Sequence, residues 1–167
     1  MAIDDHLLIV KSIAWATEAD TQAFAATLAA KLQGSTARSN VLIELHGDLG
    51  SGKTTFARHL LTALGVAGRI KSPTYAVVEP YTVEEAPGGP LNIWHFDFYR
   101  FNDPDEWEEA GFRDIFASPG LKLVEWPEKA GEHLPPPDLD IALELQNGDV
   151  RAVTLTARTD AGRALLP

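Results

Sequence analysis

Gly47-Asp48-Leu49-Gly50-Ser51-Gly52-Lys53-Thr54 is the stretch on which the reading of this chain turns. It follows Val41-Leu42-Ile43-Glu44-Leu45, an apolar run that reads as a mostly buried strand. It precedes a segment that sets Phe56, Leu60, Leu61 and Leu64 on one helical face before Gly65 closes it. Glycines at 47, 50 and 52 allow positive φ and turn several backbone N–H groups toward one point. The next helix adds its unpaired N–H groups and the positive end of its dipole there. A polyphosphate fits such a cradle, with Lys53 reaching its outer phosphates and the Thr54 hydroxyl placed for a magnesium ion that bridges them. Strand, glycine loop and helix together predict a three-layer α/β P-loop NTPase fold. Its sheet is mixed, parallel around the loop and antiparallel where hairpins join.

Upstream, residues 17–33 place Phe24, Leu28 and Leu32 at spacing four, with Thr17 as cap and Gly34 as terminator, and residues 35–40 form a polar connection. Before them lies a short apolar run, residues 7–10. Downstream, residues 76–79 and 91–99 flank the turn-rich Glu84-Glu85-Ala86-Pro87-Gly88-Gly89-Pro90 and predict an antiparallel hairpin. In an extended chain His95, Asp97 and Tyr99 share a face with Ile93, while Trp94, Phe96 and Phe98 share the other; the aromatic face packs and the polar one is available for chemistry. Asp103-Pro104 opens a short helix that ends near Gly111. Leu121-Lys122-Leu123-Val124 is a strand ending in Glu125-Trp126-Pro127, and residues 139–145 and 150–157 pair across Asn147-Gly148.

Two carboxylates stand out around the loop. Glu125 ends an apolar strand, where it can hold magnesium directly or through water; the plain alternative is a surface carboxylate at a strand end. Asp97 lies inside an aromatic run, where an unpaired charge is costly. It orients an attacking water or binds metal through water, with His95, Tyr99 and Arg100 fixing it, unless it is a structural partner of Arg100 or a lysine. Ser72-Pro73-Thr74, in the connection after the loop helix, is either a γ-phosphate sensor or an ordinary turn. The absence of an Asn/Thr-Lys-any-Asp run points to adenine rather than guanine.

The bulk composition narrows the partners. With 167 residues, 45% of them hydrophobic, residues 1–167 make one domain. No cysteine is present, which excludes disulfides, thiolate zinc sites and a cysteine nucleophile. No apolar run approaches the ~18 residues of a membrane span and the first residues lack a basic targeting region, so the expected location is the cytoplasm. A net charge of -10 disfavours direct binding to duplexes or tRNA. Arg58, Arg69 and Lys71 could still form a local basic patch, against the alternative of an ordinary solvated surface.

The loop with its additional Thr55, Ser72-Pro73-Thr74-Tyr75, His95-Phe96-Asp97-Phe98-Tyr99-Arg100 and Val124-Glu125-Trp126-Pro127-Glu128 occur in that order. Together they resemble the bacterial TsaE (YjeE) family, over residues 17–158. The resemblance implies an ATPase using ATP and Mg2+ that supports the partners TsaD and TsaB in threonylcarbamoyl (t6A) modification of adenosine 37 of tRNAs reading codons that begin with A. It would meet tRNA only indirectly, through the complex. It further implies nucleotide binding by Gly47, Asp48, Leu49, Gly50, Ser51, Gly52, Lys53, Thr54, Thr55 and Trp126. Thr54 and Glu125 would be the magnesium ligands, and Asp97, Lys53 and Glu125 the catalytic set. Thr21 would match a threonine early in the family's first helix. The competing readings are a small P-loop kinase with Asp97 as base and a nucleotide-dependent interaction module with negligible hydrolysis.

Overall fold

Every residue of β2 (Val41–His46) except His46 is buried, which a strand achieves only with neighbours on both sides and layers on both faces. The computed structural model describes residues 8–34 and 40–167 and provides both. The other strands are β1 (Ile9–Trp15), β3 (Val78–Val83), β4 (Leu91–Asp97), β5 (Leu121–Glu125), β6 (Leu139–Leu145) and β7 (Arg151–Ala157). With β2 they form one seven-stranded sheet in the order β1-β7-β6-β2-β5-β4-β3. β2 runs parallel to β5 and β6, and β4 parallel to β5; the outer pairs β1–β7, β6–β7 and β3–β4 are antiparallel.

Helices cover both faces. On one, Leu28 and Leu32 of α1 (Glu18–Gly34) and Phe56, Leu60 and Leu61 of α2 (Lys53–Ala63) meet Ile43, Leu45, Leu123 and Ile141. Thr17 and Asp20 cap α1 reciprocally. The Asp20 N–H donates to Thr17 Oγ1 at 3.3 Å and the Thr17 N–H donates back to Asp20 Oδ2 at 3.3 Å, satisfying N–H groups at the helix start. On the opposite face Trp107 of α3 (Glu106–Glu109), Phe112, and Phe116 of α4 (Arg113–Ala117) pack on Phe96, Phe98 and Val124, with the Phe96 and Phe116 rings stacked at 4.8 Å. A last helix, α5 (Asp160–Ala164), brings Leu165 into the first core. Among the described residues no helix is long and apolar enough to cross a membrane.

The structure shifts three expectations. The first hairpin arm begins at Val78 rather than residue 76, because Val77 has φ 70°, a left-handed conformation that no strand can contain. Pro80 lacks an N–H, and the arm accordingly forms the sheet edge. The apolar run at 7–10, given no element from the sequence, supplies Ile9 and Val10 to the start of β1, although Leu7 lies outside the described residues, as do residues 35–39 of the expected connection. Helix α4 follows Gly111 where only an end was foreseen.

Candidate functional site

Three adjacent parallel strands, β2, β5 and β4, present their carboxyl ends side by side, the location at which open α/β sheets hold ligands. After β2 the chain turns through residues 47–52 with Gly47, Gly50 and Gly52 at positive φ. Glycine is required at 47, since a Cβ would meet Ser51 Oγ at 2.5 Å and the Leu143 carbonyl oxygen at 2.6 Å. Lys53 opens α2 with its side chain folded back over the loop, donating to the carbonyls of Gly47 and, at 3.2 Å, Asp48. Its ammonium also lies 4.0 Å from the Trp126 ring centroid. Burial pushes the Lys53 ammonium below its ordinary range, opposed by the surrounding carboxylates, Glu125 foremost.

The carboxylates follow from the strand register. Glu125 ends β5 and is the register partner of both Leu45 on β2 and Asp97 on β4, so the two acids stand next to each other beside the loop. Glu125 is 1% exposed. Its Oε1 accepts from the Thr54 hydroxyl at 2.8 Å and its Oε2 from His95 Nε2 at 2.7 Å. Asp97 is held separately: Thr74 Oγ1 donates to Oδ2 at 3.1 Å, and the Tyr99 N–H donates to Oδ1 at 2.9 Å. Desolvation raises the Asp97 pKa, and the Glu125 charge adds to this, against the Tyr99 and Thr74 hydrogen bonds.

Lys53, Thr54, Asp97, Glu125 and Trp126 line one open cleft of about 320 Å³, together with Asp48, Leu49, Gly50, Ser51, Gly52 and Thr55. Gly47 sits at its root through its carbonyl. Two expectations about Asp97 change. His95 bonds Glu125 rather than Asp97, and Arg100 stacks on the Tyr75 ring at 3.9 Å instead of pairing with the aspartate. Sequence reading also missed Arg151, which lines the cleft and donates to the Ser51 carbonyl at 3.2 Å from β7. Its only sequence signal is a lone arginine at the start of a strand. Thr21 lies outside the cleft, in a smaller adjoining pocket with Trp15 and Thr55.

The family model described as threonylcarbamoyl adenosine biosynthesis protein TsaE matches residues 15–153. The chain belongs to the TsaE family. The tRNA threonylcarbamoyladenosine biosynthesis protein TsaE of Haemophilus influenzae is 40% identical to it over 126 residues, 75% of this chain and 76% of the relative. The protein of the same description from Bacillus subtilis is 36% identical over 128 residues, 77% of each chain. The crystal structure of Bacillus subtilis YdiB superposes with a TM-score of 0.71 at 29% identity, covering 94% of this chain and 93% of that one.

Two features of this TsaE-family chain flank the cleft. Val77 and Trp126 are the non-glycine residues at positive φ among those described, at 70° and 55°. Each such conformation costs about 1–3 kcal/mol, and both adjoin the site. Val77 clamps the 73–77 turn to β4, donating its N–H to the Pro73 carbonyl at 2.6 Å and accepting from the Asp97 N–H at 2.8 Å.

At the root of the loop, Glu44, His46 and Asp140 place three potential metal-ligand atoms within 4.8 Å of one another. Their charges are already balanced. Asp140 accepts from Arg158 Nε at 2.5 Å, and the His46 imidazole, pushed up to about 9 chiefly by its hydrogen bonds to Asp140 and Glu44, is a cation at neutral pH. With the folded pKa above the ordinary 6.5, this stabilisation is complete below pH 6.5 and fades as pH rises through about 9. His46→Gln should therefore lower stability at pH 6, by on the order of 1 kcal/mol given the partial exposure of the pair. The deficit should shrink by pH 10, as urea midpoints at the two pH values will report.

Proposed function

We propose that this chain binds magnesium and ATP in the cleft of residues 47–55 and hydrolyses the ATP to ADP and phosphate. In this reading it serves threonylcarbamoyl modification of tRNA adenosine 37 together with TsaD-like and TsaB-like proteins. The observation that carries this reading is the convergence of Lys53, Thr54, Glu125 and Asp97 at the carboxyl ends of β2, β5 and β4. Family membership adds the pathway. Cytoplasmic location is part of the same proposal.

The residues fit a polyphosphate and a magnesium ion. Ser51 Oγ is buried without a hydrogen-bond partner in a loop too close-packed for a Cβ at Gly47, a polar cradle built for something with acceptor oxygens. Thr54 Oγ1 and Glu125 Oε1 are hard oxygen donors, which suit magnesium, directly or through water. When bound, the ion would neutralise charge on the phosphates. Lys53 exchanges its backbone carbonyl partners for phosphate oxygens, and the loop N–H groups hold the rest of the polyphosphate. His95 fixes the Glu125 carboxylate through Oε2 and leaves Oε1 for the Thr54 side of the site. Asp97, anchored by Thr74 and the Tyr99 N–H, orients the attacking water, and its raised pKa improves it as a hydrogen-bond acceptor. Trp126 shields the lysine and lies with Tyr99 along the cleft wall, ring centroids 5.0 Å apart.

Glu125→Gln should weaken ATP binding about tenfold in the presence of magnesium and leave the weaker magnesium-free binding unchanged. Isothermal titration with and without the ion checks it; equal ATP affinity of the wild type in both conditions would remove the metal assignment. The reading as a whole is tested by pull-down of purified TsaD-like and TsaB-like proteins on the immobilised chain. Association that differs between ATP and ADP supports it, and nucleotide-insensitive or absent association counts against it.

A further inference from the structure

Arg58, Arg69 and Lys71 line a cleft of about 600 Å³ between α2 and the segment 68–72. All three are exposed, and none has an ion pair or side-chain hydrogen bond among the described residues. Arg113, Arg158 and Arg163, by contrast, each pair with a carboxylate. The chain carries 24 acidic residues against 14 Lys and Arg, so three exposed cations lining one cleft run against the sign of the molecule as a whole. They form a local positive site in a negative molecule, and their mutual repulsion is relieved by an incoming anion.

The wall of this cleft is tied to the nucleotide site. Lys71 is pinned to β3 by its N–H, which donates to the Tyr81 hydroxyl at 3.2 Å. One residue on, Ser72 Oγ lies 3.0 Å from Thr74 Oγ1, and Thr74 donates to Asp97. We propose that the cleft docks an acidic segment of a protein partner, two or more Asp or Glu carboxylates held by Arg58, Arg69 and Lys71. Its occupation tightens Ser72 and Thr74 on Asp97, so docking raises the rate of ATP hydrolysis. The second part rests on the ATPase reading above. A protein carboxylate fits better than an RNA backbone: the net charge of -10 repels a long polyanion, whereas a short acidic segment meets only the local field.

The test uses the full chain, wild type and Arg58→Glu/Arg69→Glu/Lys71→Glu, with Lys71→Glu alone as a milder variant. Affinity for the purified TsaD-like and TsaB-like pair is measured in ATP at 50 and 300 mM NaCl, with phosphate release alongside and fluorescein-labelled tRNA as a parallel probe. The expected result is at least a tenfold loss of pair affinity in the triple variant and a smaller loss in the single one. The salt dependence flattens and partner-stimulated hydrolysis falls, while ATP affinity and basal hydrolysis stay at wild-type values. Wild-type pair affinity in the triple variant overturns the proposal and leaves the ATPase reading standing. Loss of tRNA binding with pair binding intact also overturns it and assigns the cleft to RNA. A wild type that fails to bind the pair in any nucleotide state overturns the docking proposal and the partner reading, whereas absence of phosphate release from ATP overturns the ATPase reading.

Discussion

Asp97→Asn is expected to cut phosphate release from ATP by about 100-fold or more while changing ATP affinity by no more than a few-fold. The aspartate touches neither Lys53 nor Thr54, so the contacts proposed to hold the nucleotide survive its loss. Asparagine keeps the size, its one carbonyl oxygen can still accept from the Tyr99 N–H, and its amide nitrogen can donate to Thr74 Oγ1 in place of the acceptance lost there. What disappears is the charged acceptor whose pKa burial has raised. Single-turnover phosphate release and equilibrium nucleotide titration on the same preparation separate the two effects. A parallel fall in affinity would make Asp97 a binding residue. If tRNA modification in the reconstituted system continued undiminished in the variant, nucleotide binding alone would suffice and hydrolysis would be dispensable.

Lys53→Ala carries the second large effect, a loss of roughly 10- to 100-fold in ATP affinity, the value of one charge-assisted hydrogen bond to phosphate at about 1.5–3 kcal/mol. Lys53 is 5% exposed and ties together the Gly47 and Asp48 carbonyls and the Trp126 ring. Its removal therefore also frees loop carbonyls, and Trp126, which loses the cation above its ring, should report the change by fluorescence. Thermal stability should move little, because the surrounding core, Phe56, Leu60 and Leu61 with Ile43 and Leu45, is untouched. Unchanged affinity in a folded Lys53→Ala protein would mean that the nucleotide binds elsewhere.

The glycine loop and its helix were legible because local rules decide them: positive φ at Gly47, Gly50 and Gly52, then an apolar stripe at helical spacing. Glu125 was legible as a strand-end carboxylate for the same reason, and Asp97 as a carboxylate inside an aromatic run expected to extend to residue 99, although the strand ends at Asp97. Their partners were not. His95 and Asp97 share a face, but which carboxylate the imidazole meets depends on the β4–β5 register, in which His95 sits beside Leu123 and Asp97 beside Glu125. Local sequence carries no record of that alignment. Arg151 arrives from β7, about a hundred residues beyond Ser51, and reaches the loop only because β6 and β7 fold back beside β2. β1 hid for another reason: as an edge strand it is exposed along most of its length, so it lacks the apolar alternation that marks a half-buried strand. The cluster of Arg58, Arg69 and Lys71 was visible as a possibility, and the path of the chain after α2 brings it into one cleft.

The Gly47 to Thr55 cleft is proposed to turn over ATP for a partner complex. The most direct measurement of this turnover is phosphate release from ATP by the purified chain, alone and with the TsaD-like and TsaB-like pair, with magnesium and with a chelator. The expected result is slow magnesium-dependent release that rises when the pair is added and is lost in Asp97→Asn. No release under any of these conditions, or transfer of the γ-phosphoryl group to a small-molecule acceptor in place of free phosphate, would contradict it.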